Sequence, residues 1–208
     1  MKSIVSEKSI INYIRKIYSN IIDKDLSDDE IISIYWFDNN MKNTIFPWVL
    51  KIERELKTIF VNLYNKKYKS FKDVLLNSNK YNCSFSLIKP IVNKVKKFSS
   101  IEEFVFSITF GEFIKILYYF DISIKKEIDK LLKIKKISEN FYECILITRN
   151  TIAHNLSLLS MCDVSVLDSI NTIKKYLAFN DHEKELILTN DIDAIFRKLS
   201  KEIRFDLF

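Results

Sequence analysis

The stretch Ile45-Phe46-Pro47-Trp48-Val49-Leu50-Lys51-Ile52-Glu53-Arg54-Glu55-Leu56-Lys57-Thr58-Ile59-Phe60-Val61-Asn62-Leu63 decides the fold class. Its apolar positions Ile45, Trp48, Val49, Ile52, Leu56, Phe60 and Leu63 recur every three or four residues, the period of one face of an α-helix. This spacing predicts a helix to about residue 66, with Pro47 kinking it or marking a start nearby. Upstream, Ser27-x-x-Glu30 is a capping box, which predicts a helix over about 28–39. A polar break precedes it at 23–29, and Ile10, Ile11, Ile14, Ile17 and Ile21 predict a first helix over 6–22.

Downstream, residues 67–84 are polar and irregular and read as a long loop. A short helix is expected around 85–97, with Pro90 near its first turn. Ser100-x-x-Glu103 is a second capping box and predicts a central helix over 101–120, apolar on more than one side. Further helices are expected at about 123–134, 138–160, 163–179 and 190–204. The pattern is all-α: one helical domain of about seven to nine helices, with no internal repeat or linker.

Composition supports this by exclusion. The 208 residues contain one glycine, Gly111, where average usage would give about fifteen. One glycine supplies neither a phosphate-cradling P-loop nor a dinucleotide-binding turn, and few of the turns a many-stranded sheet needs. Gly111 falls inside the expected central helix, where glycine costs about 1 kcal/mol relative to alanine. That placement implies close approach of another helix. The three cysteines (Cys83, Cys144, Cys162) lack C-x-x-C spacing, so neither a disulfide framework nor a zinc ribbon is expected. No apolar run reaches the length of a membrane span, and the first residues lack a signal-peptide core. A cytoplasmic protein without a membrane partner is expected. The net charge of +6 permits a nucleic-acid partner, yet it is almost all lysine and fits a solvated surface.

The chemistry concentrates in Ile147-Thr148-Arg149-Asn150-Thr151-Ile152-Ala153-His154-Asn155. The expected helix buries Phe141, Cys144, Ile145, Thr148, Ile152, Leu156 and Leu159, which leaves Arg149, Asn150 and His154 off that stripe. Asn150 and His154 are i and i+4 and share a face; Arg149 and His154 are about 140° apart on a straight helix. A second copy across a two-fold axis, or a distorted helix, would focus them. Imidazole moves protons near neutrality, guanidinium grips phosphate with a planar fork, and the amide orients or binds. Together they suit transesterification of RNA, which does not require a metal or other cofactor. Taken alone, an Arg and a His on a helix are mostly surface or capping residues.

Three blocks extend the reading. They are Phe37-Asp38-Asn39-Asn40-Met41-Lys42 leading to Ile52-Glu53-Arg54-Glu55-Leu56-Lys57-Thr58; Phe110-Gly111-Glu112-Phe113 followed by Ile116-Leu117-Tyr118; and Arg149 to Asn155. In this order and spacing they resemble the Abi-like proteins of bacterial abortive infection (the AbiD/AbiF group) of the HEPN superfamily. The resemblance covers roughly 30–160, with 1–29 a variable N-terminal helix and 161–208 C-terminal helices. It implies a HEPN-like bundle and a metal-independent endoribonuclease acting in phage defence. It also implies a catalytic motif of Arg149, Asn150 and His154, and a homodimer with a composite active site. A restraining antitoxin protein or small non-coding RNA is a further implied partner. Glu53 and Lys57 either line the same cleft or form an ordinary helix-surface ion pair. Asn155 stands beside the motif as a possible RNA contact, although no basic residue follows it.

The alternative to an enzyme is a non-catalytic RNA-binding or partner-binding module of the same fold. The remaining candidates read as structure. His182 belongs to a polar turn. Asp191-Ile192-Asp193 and Asp28-Asp29-Glu30 suit helix N-termini. Trp36-Phe37 and Tyr118-Tyr119-Phe120 read as core, and Cys144 as a buried thiol.

Overall fold

The computed structural model describes residues 11–12, 14–16, 27–159 and 165–202. Ten α-helices between residues 27 and 202 carry the fold: α1 (Asp28–Lys67), α2 (Phe71–Leu76), α3 (Phe85–Val92), α4 (Ile101–Ser107), α5 (Phe110–Tyr119), α6 (Ile122–Leu131), α7 (Ile134–Ile137), α8 (Phe141–Ala153), α9 (Val166–Asn180) and α10 (His182–Glu202). Residues 11–12 and 14–16 are helical as well; the rest of the first expected helix, and Cys162, lie outside the described residues. Among the described residues there is no strand, only an isolated bridge between Tyr81 and Phe120, so the all-α reading holds. No helix among them is long and apolar enough to cross a membrane. They form two compact units, one spanning Leu50–Leu146 and the other combining the segments up to Val49 and from Ile147.

The two helices expected over 28–39 and 45–66 are one, α1, forty residues long and continuous through Pro47. A proline inside a helix removes one hydrogen bond and crowds the preceding turn. Against that cost stands a buried stripe of Ile31, Ile34, Met41, Ile45, Val49, Ile52, Leu56 and Phe60, which keeps helical phase on both sides of the proline. Its start is as expected: Ser27 N–H donates to Glu30 Oε2 at 2.8 Å, and Glu30 N–H to Ser27 Oγ at 3.3 Å. Asp28, Asp29 and Glu30 occupy the first turn.

In the Leu50–Leu146 unit an aromatic core gathers around Phe120, whose ring centroid lies 6.3 Å from Phe60, 5.8 Å from Tyr64 and 5.3 Å from Tyr81. The expected loop at 67–84 is broken by α2 and a 3₁₀ turn, Ser78–Lys80, and is tied down by tyrosines. Tyr64 Oη donates to the Phe71 carbonyl at 3.0 Å and Tyr81 Oη to the Leu75 carbonyl at 2.7 Å. Pro90 lies past the first turn of α3, and a 3₁₀ helix, Asn93–Lys97, follows. Tyr118 and Tyr119 are exposed, contrary to the core assignment; Phe120 and Phe37 are buried.

The central helix is not one helix. It stops at Ser107 and restarts at Phe110, because Thr109-Phe110-Gly111-Glu112 is itself a capping box: Thr109 N–H donates to Glu112 Oε2 at 3.1 Å and Glu112 N–H to Thr109 Oγ1 at 3.2 Å. Gly111 therefore sits in the first turn of α5, not mid-helix. A Cβ there would meet Leu146 Cδ1 at 3.7 Å, an ordinary van der Waals distance, so no close helix approach requires glycine.

Asp121 caps α6 with a positive φ of 25°, a backbone strain that its side chain holds in place. It accepts from Ser123 N–H at 3.1 Å, from Lys67 Nζ at 2.6 Å and from the Tyr68 hydroxyl. Burial pushes its carboxyl up, but the donors from Lys67, Tyr68 and Ser123 outweigh burial and hold it at about 2, against an ordinary 3.8.

In the other unit, α9 and α10 bury Ile170, Ile173 and Tyr176 with Leu188, Ile192 and Ile195, and Phe196 meets Phe37 edge-on at 5.2 Å. α10 begins at His182, eight residues before the expected start. Glu183 and Glu185 in its first turn and the Leu188, Ile192, Ile195 stripe make one helix of the whole segment. Asp191 and Asp193 accordingly lie mid-helix on its exposed side rather than at an N-terminus, and His182 opens a helix rather than sitting in a turn.

Two outcomes follow. Gly111→Ala stabilises the fold by about 0.4–1 kcal/mol, because alanine fits the space and narrows the unfolded ensemble; differential scanning calorimetry should show the melting temperature rising by about 1–4 °C. Asp121, whose folded pKa is depressed, contributes its full stability above the ordinary carboxylate range and loses it as pH falls through about 2. In urea titrations the stability gap between wild type and Asp121→Asn should therefore narrow steadily between about pH 4 and pH 2.

Candidate functional site

The motif stands on α8, whose buried side anchors it. Phe141, Cys144, Ile145 and Thr148 are buried as the periodicity predicts. The Thr148 hydroxyl, fully buried, meets the Ser169 hydroxyl of α9 at 2.8 Å, which fixes α8 one residue before Arg149. Arg149 and Asn150 are half-buried, and Arg149 Nη1 donates to Asn150 Oδ1 at 3.3 Å. The amide oxygen thus faces the guanidinium, a contact that restrains a long, rotamer-rich side chain.

α8 ends at Ala153, not at residue 160. Asn155 takes a left-handed φ of 53°, its N–H donates to the Ile152 carbonyl at 2.9 Å, and Leu156 N–H donates to the Thr151 carbonyl at 2.9 Å. This pair of bonds is a Schellman motif with asparagine at the left-handed position, the residue that tolerates it best after glycine. His154 is the C-cap: its own N–H still reaches the Asn150 carbonyl at 3.0 Å, while its side chain is exposed. His154 therefore stands at the C-terminal tip of α8, in helical register with the turn before it. The early stop also explains why Leu156, expected on the buried stripe, is exposed. Asn155, also exposed, has a conformational task in this turn.

The segment after the turn is held by a residue outside the Arg149–His154 motif. Asp38 of α1 is fully buried, and its Oδ1 accepts Leu158 N–H at 2.8 Å, Leu159 N–H at 3.3 Å and the Ser157 hydroxyl at 3.4 Å. Its Oδ2 forms an ion pair with Lys42 Nζ at 2.8 Å, without an aligned hydrogen bond. The sequence signal was present: Asp38 and Lys42 are i and i+4 in the first family-like block. The position of Asp38 beside the apolar stripe marked it for burial, and a buried charge needs partners.

Glu53 and Lys57 also lie on α1, in the Leu50–Leu146 unit, whereas Arg149, Asn150 and His154 belong to the other. They are not an ordinary surface pair. Lys57 is buried, with its Nζ 2.9 Å from Glu53 Oε1 and donating at 3.1 Å to the Ile108 carbonyl, where α4 ends. His182 is exposed and lies 3.5 Å from Glu185. Among the described residues no group of three or more His, Cys, Asp and Glu side chains could hold a metal ion.

Comparison with known families supplies the remaining observation. A family model described as Abi-like protein matches residues 9–160, most of the chain. The chain belongs to the Abi-like protein family. Membership suggests a role in abortive-infection defence. The matched range takes in Asp38, Lys42 and the whole of Arg149 to His154, and it closes just after the segment that Asp38 holds. No curated protein and no solved structure matches the chain.

The Asp38–Lys42 pair makes a stability prediction. Lys42→Met strands a fully buried carboxylate and should cost about 3–5 kcal/mol. Equilibrium urea unfolding followed by circular dichroism measures it; a cost below about 1 kcal/mol would mean that the charge finds solvent.

Proposed function

We propose that the chain is an endoribonuclease that cleaves RNA by attack of the ribose 2′-oxygen on the adjacent phosphorus, with no metal taking part. Its biological role in this reading is that of a toxin-like effector in abortive infection. The observation that carries it is the exposed imidazole of His154 at the end of α8, one turn from an Arg149–Asn150 pair, inside the range matched to the Abi-like family.

The chemistry divides among these groups. As the bond from the 2′-oxygen to phosphorus forms, the 2′-hydroxyl gives its proton to a neutral imidazole. The bond from phosphorus to the 5′-oxygen breaks, and that oxygen takes a proton from an imidazolium. The products are a 2′,3′-cyclic phosphate and a 5′-hydroxyl. Negative charge accumulates on the non-bridging oxygens, where the guanidinium of Arg149 stabilises it best. Asn150 orients the guanidinium or a phosphate oxygen. Attacking and leaving oxygens lie on opposite sides of phosphorus, so a single imidazole serves both poorly. A homodimer in which two copies of His154 face the same phosphate resolves this, and we include it in the proposal. Restraint by a neighbouring antitoxin protein or small non-coding RNA belongs to the same reading.

The test is purified protein on cellular RNA with a chelator present, wild type beside His154→Ala. Removing the imidazole should lower the cleavage rate by about 10²–10⁴-fold. Because the side chain is exposed, the melting temperature should stay put. Wild-type products should carry cyclic phosphate ends. Equal cleavage by both proteins, or cleavage only after a divalent metal is added, overturns the reading. Unchanged RNA binding without any cleavage would favour a non-catalytic RNA-binding module instead.

A further inference from the structure

The strongest unassigned feature of the molecule is the buried Asp38. We infer that Asp38 is a positioning residue for the imidazole of His154, acting through the backbone that leaves α8, with Lys42 paired to its other carboxylate oxygen. This inference rests on the proposed role of His154, although one arm of its test does not.

After the Schellman bonds at Asn155 and Leu156 the chain has left the helix, and no regular ladder fixes residues 157–159. An exposed histidine at a C-cap followed by an untethered segment would sample many orientations, because helix ends fray. Asp38 removes that freedom. One carboxylate oxygen takes two successive backbone N–H groups, Leu158 at 2.8 Å and Leu159 at 3.3 Å, with the Ser157 hydroxyl at 3.4 Å. Bonds to an ionised acceptor are the strong class, and full burial excludes competing water. Leu158 is itself buried, which adds an apolar anchor to the same segment. The helix before the turn is pinned at Thr148 by Ser169, and the segment after it at 157–159 by Asp38. His154 lies between two fixed points.

An alternative is that Asp38 only stabilises the fold. The two are separated by comparing double variants that are both neutral at this site. Asp38→Asn with Lys42→Met removes the ion pair but keeps a side-chain oxygen able to accept the Leu158 and Leu159 amides. Asp38→Leu with Lys42→Met removes the acceptor as well and leaves two apolar side chains. If Asp38 positions the turn, the Asn/Met protein should cleave RNA within about threefold of wild type, while the Leu/Met protein should lose on the order of 10- to 100-fold in the single-turnover rate. RNA affinity should change little in either.

The second arm does not require cleavage. The chain has two histidines, His154 and His182, so the ring carbon–proton correlations in an NMR spectrum are two sets of peaks, assigned with His182→Gln. In the Leu/Met protein the His154 peaks should shift or broaden and those of His182 should stay in place. The Asn/Met protein should keep both sets. Wild-type hydrogen exchange supplies a third readout: the Leu158 and Leu159 amides, outside any helix, should be protected like those of buried helical residues. Should the Leu/Met protein fail to fold, this measurement decides alone.

The inference is overturned if the Leu/Met protein folds and its His154 peaks match wild type, or if those two amides exchange at the rate of an open loop. If wild-type protein cleaves no RNA while the NMR and exchange results come out as expected, the ribonuclease reading fails and the positioning of His154 by Asp38 stands.

Discussion

α1 carries two acid–lysine pairs, Asp38–Lys42, with both side chains buried, and Glu53–Lys57, with only the lysine buried; each is one turn long and each is bonded to backbone where another helix has stopped. Asp38 accepts hydrogen bonds from the amides that follow α8, and Lys57 donates one to the carbonyl of Ile108 that follows α4. A helix end leaves orphan donors and acceptors, and burying them unsatisfied costs as much as a lost hydrogen bond. These side chains meet that need from across the chain, with bonds spanning 120 and 51 residues. Replacing such a pair by apolar residues of similar size is often energetically neutral. What the pairs contribute beyond stability is location: a particular backbone segment is held at a particular place on α1.

The scarcity of glycine gives this arrangement its context. Chains ordinarily leave a helix through glycine in the left-handed region. Here the positive-φ residues among those described are Asp121, Lys133 and Asn155. Each pays a steric cost that glycine would not, and each needs support from elsewhere. Asp121 gets it from Lys67, Tyr68 and Ser123, and Asn155 from the Schellman bonds and, further on, from Asp38. The lone glycine is at none of these places. It occupies the first turn of α5, where its freedom is not used.

Much of this was legible in the residues. Helical spacing and the Ser27–Glu30 box mark the helical class and the start of α1, and the order of three short blocks points to the family that the chain belongs to. Two helix ends escape the pattern for the same reason. Helix ends at Ser107 and Ala153 lack both glycine and proline, so periodicity ran through them. The converse held at Pro47, where a punctuating residue was overridden by a continuous buried stripe. The motif at Arg149, Asn150 and His154 could be read because its chemistry is local. Asp38 could not be assigned a task, because its partners lie 120 residues away and are backbone amides, which no sequence pattern displays.

That separation has a consequence in time. During synthesis the ribosome delivers α1 first, and Asp38 meets Lys42 within a turn, but the Leu158 amide is made 120 residues later. At about 5–20 residues per second this is a wait of several seconds or more. For that interval the nascent chain holds a carboxylate whose burial is incomplete, and the histidine turn does not yet exist to be anchored. The geometry around His154 can close only once Leu158 and Leu159 have been made. A chain that stops short of Leu158 leaves Asp38 without the backbone amides that it holds.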